Sequence, residues 1–259
     1  MALASREGWL VDEWEFRFVL SRFPEGCFRV CHAGEPIGFV TSLRHERSGW
    51  IGNLIVAPPF RGQGVGRELF AAARSILEKL KVETIWLTAS NDGLPLYRSL
   101  GFRRCDTIIR WRGLGRHRHD DHAQGTAPPG LHRNSLELDR LAWGDRRDEL
   151  LSAVAGRGML FEDQDGFLVL QPMGDGHLIG PFAAASGGTA GRLLYGALEA
   201  VGRNDSVCLD MPASNRDGVR LLRRKGFAMT GRTELMYAGN APAYRPELLY
   251  GLATAGSCG

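Results

Sequence analysis

Residues Ile51 to Phe70 read IGNLIVAPPFRGQGVGRELF, and this stretch decides the fold. Trp50 to Val56 is nearly all apolar, the pattern of a central strand buried on both faces of a sheet. Pro58 and Pro59 stop it, since proline cannot donate to a ladder. From Arg67 onward, Leu69, Ala73, Ile76 and Leu80 recur at helical spacing, with Phe70 and Leu77 beside them. Between strand and helix lies Arg61-Gly62-Gln63-Gly64-Val65-Gly66, with glycines where backbone must come close to a ligand. The start of a helix leaves N–H groups unpaired and carries the positive end of the dipole, and both favour a phosphate. Arg61 and Arg67 could add charge-assisted contacts. The segment lacks the Gly-Lys-Ser/Thr of a P-loop, and the third glycine of Gly-x-Gly-x-x-Gly would fall on Arg67, so two familiar phosphate loops are excluded. A glycine-rich turn serving chain geometry alone remains the bland alternative.

Working outward, short strands and helices alternate. Upstream, Trp14 to Phe23 can form a helix ended by Glu25-Gly26. Phe28 to Ala33 and Ile37 to Leu43 read as strands joined by the turn Gly34-Glu35-Pro36. Downstream come a strand at Ile85 to Thr88, a short helix at Leu94 to Leu100 that Gly101 can cap, and a last strand at Thr107 to Trp111. Gly113 to Leu131, GLGRHRHDDHAQGTAPPGL, has the composition of a linker. It divides the chain into residues 1–112 and 132–259. A chain of 259 residues suits two domains of about 100–150 residues each.

The second part repeats the order. Phe167 to Gln171 and His177 to Phe182 read as strands and Arg192 to Val201 as a helix. Val207 to Asp210 is a strand, Val219 to Lys225 a short helix before Gly226-Phe227, and Thr233 to Tyr237 a strand. Arg67 to Phe102 spans 35 positions, and so does Arg192 to Phe227. Ile51 to Arg67 takes 16 steps, but Ile179 to Arg192 takes 13. The halves read as diverged copies, the second shorter by three residues in the glycine loop.

Composition bounds the partners. Hydrophobic content of 44% and charged content of 24% fit a folded chain with a core. A net charge of +3 gives no concentrated basic face for nucleic acid or membrane. The amino terminus has no signal-like apolar stretch and no run approaches the roughly 20 residues of a membrane helix, so a cytoplasmic protein is expected. Only three of the 32 basic residues are lysine, which reads as the coding bias of a GC-rich bacterial genome. Cys27, Cys31, Cys105, Cys208 and Cys258 form no CxxC pair, and an odd number suits a reducing compartment. Cys27 and Cys31 read as core thiols. His117, His119 and His122 beside Asp120 and Asp121 read as a solvated linker, and no metal is expected.

The run LIVAPPFRGQGVG resembles the acetyl-CoA-binding motif of GNAT-type N-acetyltransferases, whose Gln/Arg-x-x-Gly-x-Gly/Ala pattern is met by Arg61, Gly64 and Gly66. SNDGLPLYRSLGF, Ser90 to Phe102, is similar to the same family's second motif. The second half resembles the carboxyl-terminal domain of bacterial tandem-GNAT proteins at LDRLAWGDRRDELL, HLIGPF and LDMPASNRDGVRLLRRKGF. The resemblance implies an α/β fold with a mixed α+β sheet and two tandem GNAT domains, the first without an obvious first strand ahead of Trp9 to Phe23.

It also implies a mechanism. Backbone of Leu54, Ile55 and Val56 would pair with the pantetheine arm of acetyl-CoA, and N–H groups of Gly62, Gln63, Gly64, Val65, Gly66 and Arg67 would hold the pyrophosphate. An amine would attack the thioester directly, with a strand N–H near Val56 on the oxyanion. Tyr97 would protonate the leaving thiolate, its reference pKa near 10 keeping it protonated; a core aromatic is the alternative. Asn91 could bond the pantetheine arm or simply form a turn. The central strand carries Asn53 where many relatives carry an acid, leaving Glu46 and His45, or a water relay, as base. The acceptor is a small-molecule or protein amine, and a homodimer is left open. In the second copy, SGGTAG (Ser186 to Gly191) lacks a match for Arg61, and Leu222 stands where Tyr97 stands in the first. That copy is expected neither to bind CoA well nor to catalyse. A non-catalytic acyl-CoA sensor or binding module is the rival reading.

Overall fold

The computed structural model describes residues 3–4, 12–116, 130–256 and 258–259. The histidine cluster and most of the expected linker lie outside the described residues, as does most of the chain ahead of Asp12. The chain forms two compact units. One comprises Met1–Cys105, Leu235–Ala241 and Ala255–Gly259, the other Asp106–Glu234 and Pro242–Thr254.

The first unit opens with α1, Glu13–Arg22, capped by the Asp12 carboxylate, which accepts from the Trp14 N–H. β1 (Phe28–His32), β2 (Glu35–Arg44) and β3 (Ser48–Val56) follow as an antiparallel meander. α2, Val65–Lys79, crosses over to β4, Thr84–Ala89, parallel to β3. α3, Leu94–Ser99, leads to β5, Arg103–Leu114. α2 buries Leu69, Phe70, Ala73 and Leu77. Its apolar stripe therefore runs through Phe70 and Leu77; Ile76 is half-buried and Leu80 exposed, a shift of one helical step from the sequence reading. Cys27 is half-buried just ahead of β1 and Cys31 is exposed, so Cys31 is not a core thiol. Alternation along β1 sends it outward.

The second unit contains α4 (Arg133–Trp143), α5 (Asp148–Ala155), β6 (Met159–Asp163), β7 (Gly166–Met173), β8 (Gly176–Ala184), α6 (Gly187–Glu199), β9 (Ser206–Pro212), α7 (Arg216–Arg224), most of β10 (Ala228–Gly239) and β11 (Leu249–Gly251). Leu194, Leu198, Leu209, Met211 and Phe182 stand in its core, all at most 1% exposed. A buried ion pair braces α4: Arg147 reaches Asp139 at 2.7 Å, and both side chains are almost fully enclosed.

The strand expected to close the first half does not do so. From Asp106 onward β5 belongs to the second unit, where Ile108 to Leu114 pair antiparallel with Pro212 to Ser206. The first unit takes Leu235–Ala241 instead, the end of β10, which neighbours β4. β5 and β10 are the final strands of the two copies.

Candidate active site

β3 makes the site possible by being incompletely paired. Its parallel register with β4 covers only Ser48, Gly49 and Trp50, opposite Thr84, Ile85 and Trp86. Trp50 and Trp86 are 0% and 1% exposed and lock that end; burying an indole contributes on the order of 5 kcal/mol. Beyond Trp50 the ladder with β4 stops, and among the described residues the β4-facing edge of β3 from Ile51 to Val56 has no strand paired to it, leaving a wedge.

A bulge starts the divergence. Between Thr41↔Gly52 and Phe39↔Ile55, two residues of β3 oppose the single Val40 of β2. One is Asn53, at φ +53°, a left-handed conformation that asparagine tolerates better than most side chains. Its amide donates to Thr41 Oγ1 at 3.1 Å, and the Thr41 hydroxyl donates to the Gly52 carbonyl at 3.3 Å. A polar residue in an otherwise apolar strand was the sequence signal for this bulge.

The wedge leads into the glycine loop. Pro58–Phe60 forms a 3-10 turn, and Arg61 Nε donates to the Val56 carbonyl at 2.8 Å. Gln63 Nε2 donates to the Pro59 carbonyl at 2.9 Å. Gly62 and Gly64 have φ of +74° and +90°, with open space around the position of a Cβ. Glycine is required there by backbone conformation, not by crowding. Gly64 caps α2 without a side-chain hydrogen bond. The first helical bond runs from the Glu68 N–H to the Gly64 carbonyl, so the helix itself makes no use of the N–H groups of Val65, Gly66 and Arg67. Arg61, Gly62, Gln63 and Arg67 are exposed around this end.

Tyr97 sits on α3 with its ring 5.3 Å from Phe70 of α2 and 6.2 Å from Phe102. Arg74 of α2 donates to the Leu100 carbonyl at 2.8 Å, fixing the end of α3. Gly101, at φ +86°, turns the chain so that the Phe102 N–H bonds the Tyr97 carbonyl at 3.0 Å. Tyr97 is 9% exposed, and burial pushes the pKa of its phenol up to about 12. Asn91 is exposed in the turn before α3. Leu54 to Val56, Arg61 and the loop through Arg67 are thus contiguous, and Tyr97 is held against the helix they lead into.

Glu46 is not brought there. It is exposed in the turn between β2 and β3, beside the paired end of β3. Eight residue steps of strand separate Ser48 from Val56, roughly 25 Å at the usual rise. His45 precedes it in the same turn.

Comparison with known proteins identifies the family. Residues 3–102 match the family described as "Acetyltransferase (GNAT) family", and residues 135–251 match "Acetyltransferase (GNAT) domain". An uncharacterized N-acetyltransferase of Methanocaldococcus jannaschii is 28% identical over 38% of this chain and 48% of its own length. N-alpha-acetyltransferase 30 of Dictyostelium discoideum is 28% identical over 39% of this chain and 58% of its own length. The chain thus spans about half the length of these curated relatives. A crystal structure of a putative acetyltransferase from Pyrococcus horikoshii shares the fold, with a TM-score of 0.81 at 24% identity over 94% of this chain and 84% of that one.

Proposed function

Because this chain belongs to the GNAT family of acetyltransferases and carries two of its domains, we propose that the first domain is an acetyl-CoA-dependent N-acetyltransferase acting on a primary amine. The observation that carries this reading is the β4-facing side of β3 from Ile51 to Val56, which has no ladder partner among the described residues and runs directly into a helix start without a side-chain cap. An extended polar arm ending in a pyrophosphate satisfies both at once. The arm's amides pair with Leu54 to Val56 as an added strand would. The pyrophosphate takes the donors of Gly62 to Arg67 and the charges of Arg61 and Arg67.

In the reaction, the amine nitrogen attacks the thioester carbonyl, the C–N bond forms and the C–S bond breaks. A β3 N–H near Val56 stabilises the oxyanion, and Tyr97 gives its proton to the departing thiolate. The phenol is protonated at neutral pH and so has a proton to give; burial makes it a weaker acid, and the thiolate takes the proton as the C–S bond breaks. With Glu46 at the other end of β3, water relays the proton lost by the amine. The acceptor is a small-molecule or protein amine. No helix among the described residues is long and apolar enough to cross a membrane.

Isothermal titration of the full chain with acetyl-CoA tests the reading. Saturable binding is expected, and Gly64→Glu should weaken it at least 100-fold by placing a carboxylate in the phosphate position and straining a left-handed residue. Absence of binding at millimolar ligand sinks it.

A further inference from the structure

The second unit has the same wedge, and there a strand stands in it. β8 pairs in parallel with β9 only at His177↔Val207 and Leu178↔Cys208. A bulge follows, in which Gly180 and Pro181 oppose the single Val169 of β7. Past this bulge the edge of β8 is taken by β11, with Leu249 opposite Ala183 and Gly251 opposite Phe182. Counted from their bulges, Phe182 and Ala183 occupy the places that Ile55 and Val56 hold in β3.

The other contacts of the segment follow the same logic. The Leu252 N–H donates to the Asp210 carbonyl on β9 at 2.8 Å, so the segment bridges both walls. Asn215 Nδ2 donates to the Leu249 carbonyl at 2.9 Å while its Oδ1 accepts from the Gly218 N–H. Asn215 stands in the Ser-Asn pair before α7 as Asn91 stands in the Ser-Asn pair before α3. Tyr250 packs its ring 5.3 Å from Phe182, and a methyl placed on Gly187, in the first turn of α6, would lie 3.9 Å from its hydroxyl oxygen. Leu249, Tyr250 and Leu252 are all at most 2% exposed.

We propose that Leu249–Leu252 is a built-in stand-in for the pantetheine arm, a strand the second domain supplies to itself. That domain is therefore closed to acyl-CoA, and the chain binds one equivalent. What the segment imitates rests on the reading of the first domain; that it closes the second wedge does not. An incoming arm would have to strip β8 of its ladder partner, break the Asn215 bond and expose three enclosed side chains.

Hydrogen exchange on the full chain, read by mass spectrometry, tests this without any ligand. Amides at 249–251 and 182–183 are expected to exchange as slowly as the β7–β8 ladder. Exchange as fast as the exposed turn at Gly174–Asp175 overturns the proposal, since β11 would then be a lid. With 1 mM acetyl-CoA added, slowing should be confined to residues 54–67, with one equivalent bound by titration. Protection at 182–190, or a second equivalent, also overturns it. If neither wedge responds, the reading of the first domain fails, and the ligand-free exchange still decides whether the second is closed.

Discussion

The starts of α2 and α6 are the same place in two copies of one fold, and they have opposite fates. α2 follows a left-handed Gly64 and has no side-chain cap. α6 begins three residues further upstream relative to its Gly-Phe, and the Ser186 hydroxyl accepts from the Thr189 N–H at 3.2 Å. By the spacing of the repeat, Thr189 stands where Gly64 stands, and it is buried. Arg192, the counterpart of Arg67, is drawn to Asp163 at 2.6 Å. With three fewer loop residues, the second copy has one more helical turn, and its donors are satisfied from within. A fold can keep the order of strands and helices while a helix start changes from open donors to donors satisfied from within.

The largest test of this contrast is at Tyr97, the proposed general acid. Gly226, at φ +81°, lets the Phe227 N–H bond the Leu222 carbonyl at 3.0 Å, repeating the bond from Phe102 to Tyr97. The two positions are equivalent in structure, and only one carries a proton donor. Tyr97→Phe is expected to lower kcat by about 10²- to 10⁴-fold in an assay of released CoA thiol, with acetyl-CoA affinity unchanged. Leu222→Tyr should add no activity, because the wedge beside it is filled. Full turnover in Tyr97→Phe would remove the distinction drawn between the two copies and leave Tyr97 as core.

Most of this contrast was legible in the sequence, and the unread parts share a cause. The glycine loop, the Gly-Phe turns and the three-residue deficit are local patterns, in which neighbouring residues report on one another. Leu222 opposite Tyr97 followed from counting alone. β11 could not be read: three residues form a strand only because β8 offers an edge some sixty residues earlier in the chain, and no periodicity marks so short a segment. The exchange of final strands was hidden for a related reason, since only long-range pairing decides which strand lies beside β9. Glu46 lies near β3 in sequence, but the structure sets it at the end of that strand away from the glycine loop.

A second test uses alkaline pH. Burial raises the Tyr97 pKa to about 12, so the folded chain keeps this proton while the unfolded chain loses it above about 10. The stability it contributes is complete below pH 10 and is lost as pH rises toward 12. Burial likewise pushes the thiols of Cys27 and Cys208 up to about 11, so both units weaken from about pH 9 upward. Tyr97→Phe isolates the contribution of the first unit. Urea unfolding near pH 11.5, compared with pH 8, should show the wild-type chain losing about 2 kcal/mol more than Tyr97→Phe. Equal losses would mean that the phenol reaches water, against its enclosed position.

The smallest effect separates the two helix starts most directly. Ser186→Ala removes the cap of α6 and should cost about 1 kcal/mol, seen as a lowered urea midpoint with unchanged slope. At Gly64 there is no side-chain cap to remove, and a ligand is what should supply the missing acceptor. Acetyl-CoA is therefore expected to raise the midpoint of both wild-type and Ser186→Ala by the same amount, because it adds acceptors at α2 only. If Ser186→Ala instead gained an extra increment from acetyl-CoA, the uncapped α6 would be recruiting the cofactor's phosphates. The cap, more than β11, would then be what keeps the second copy silent.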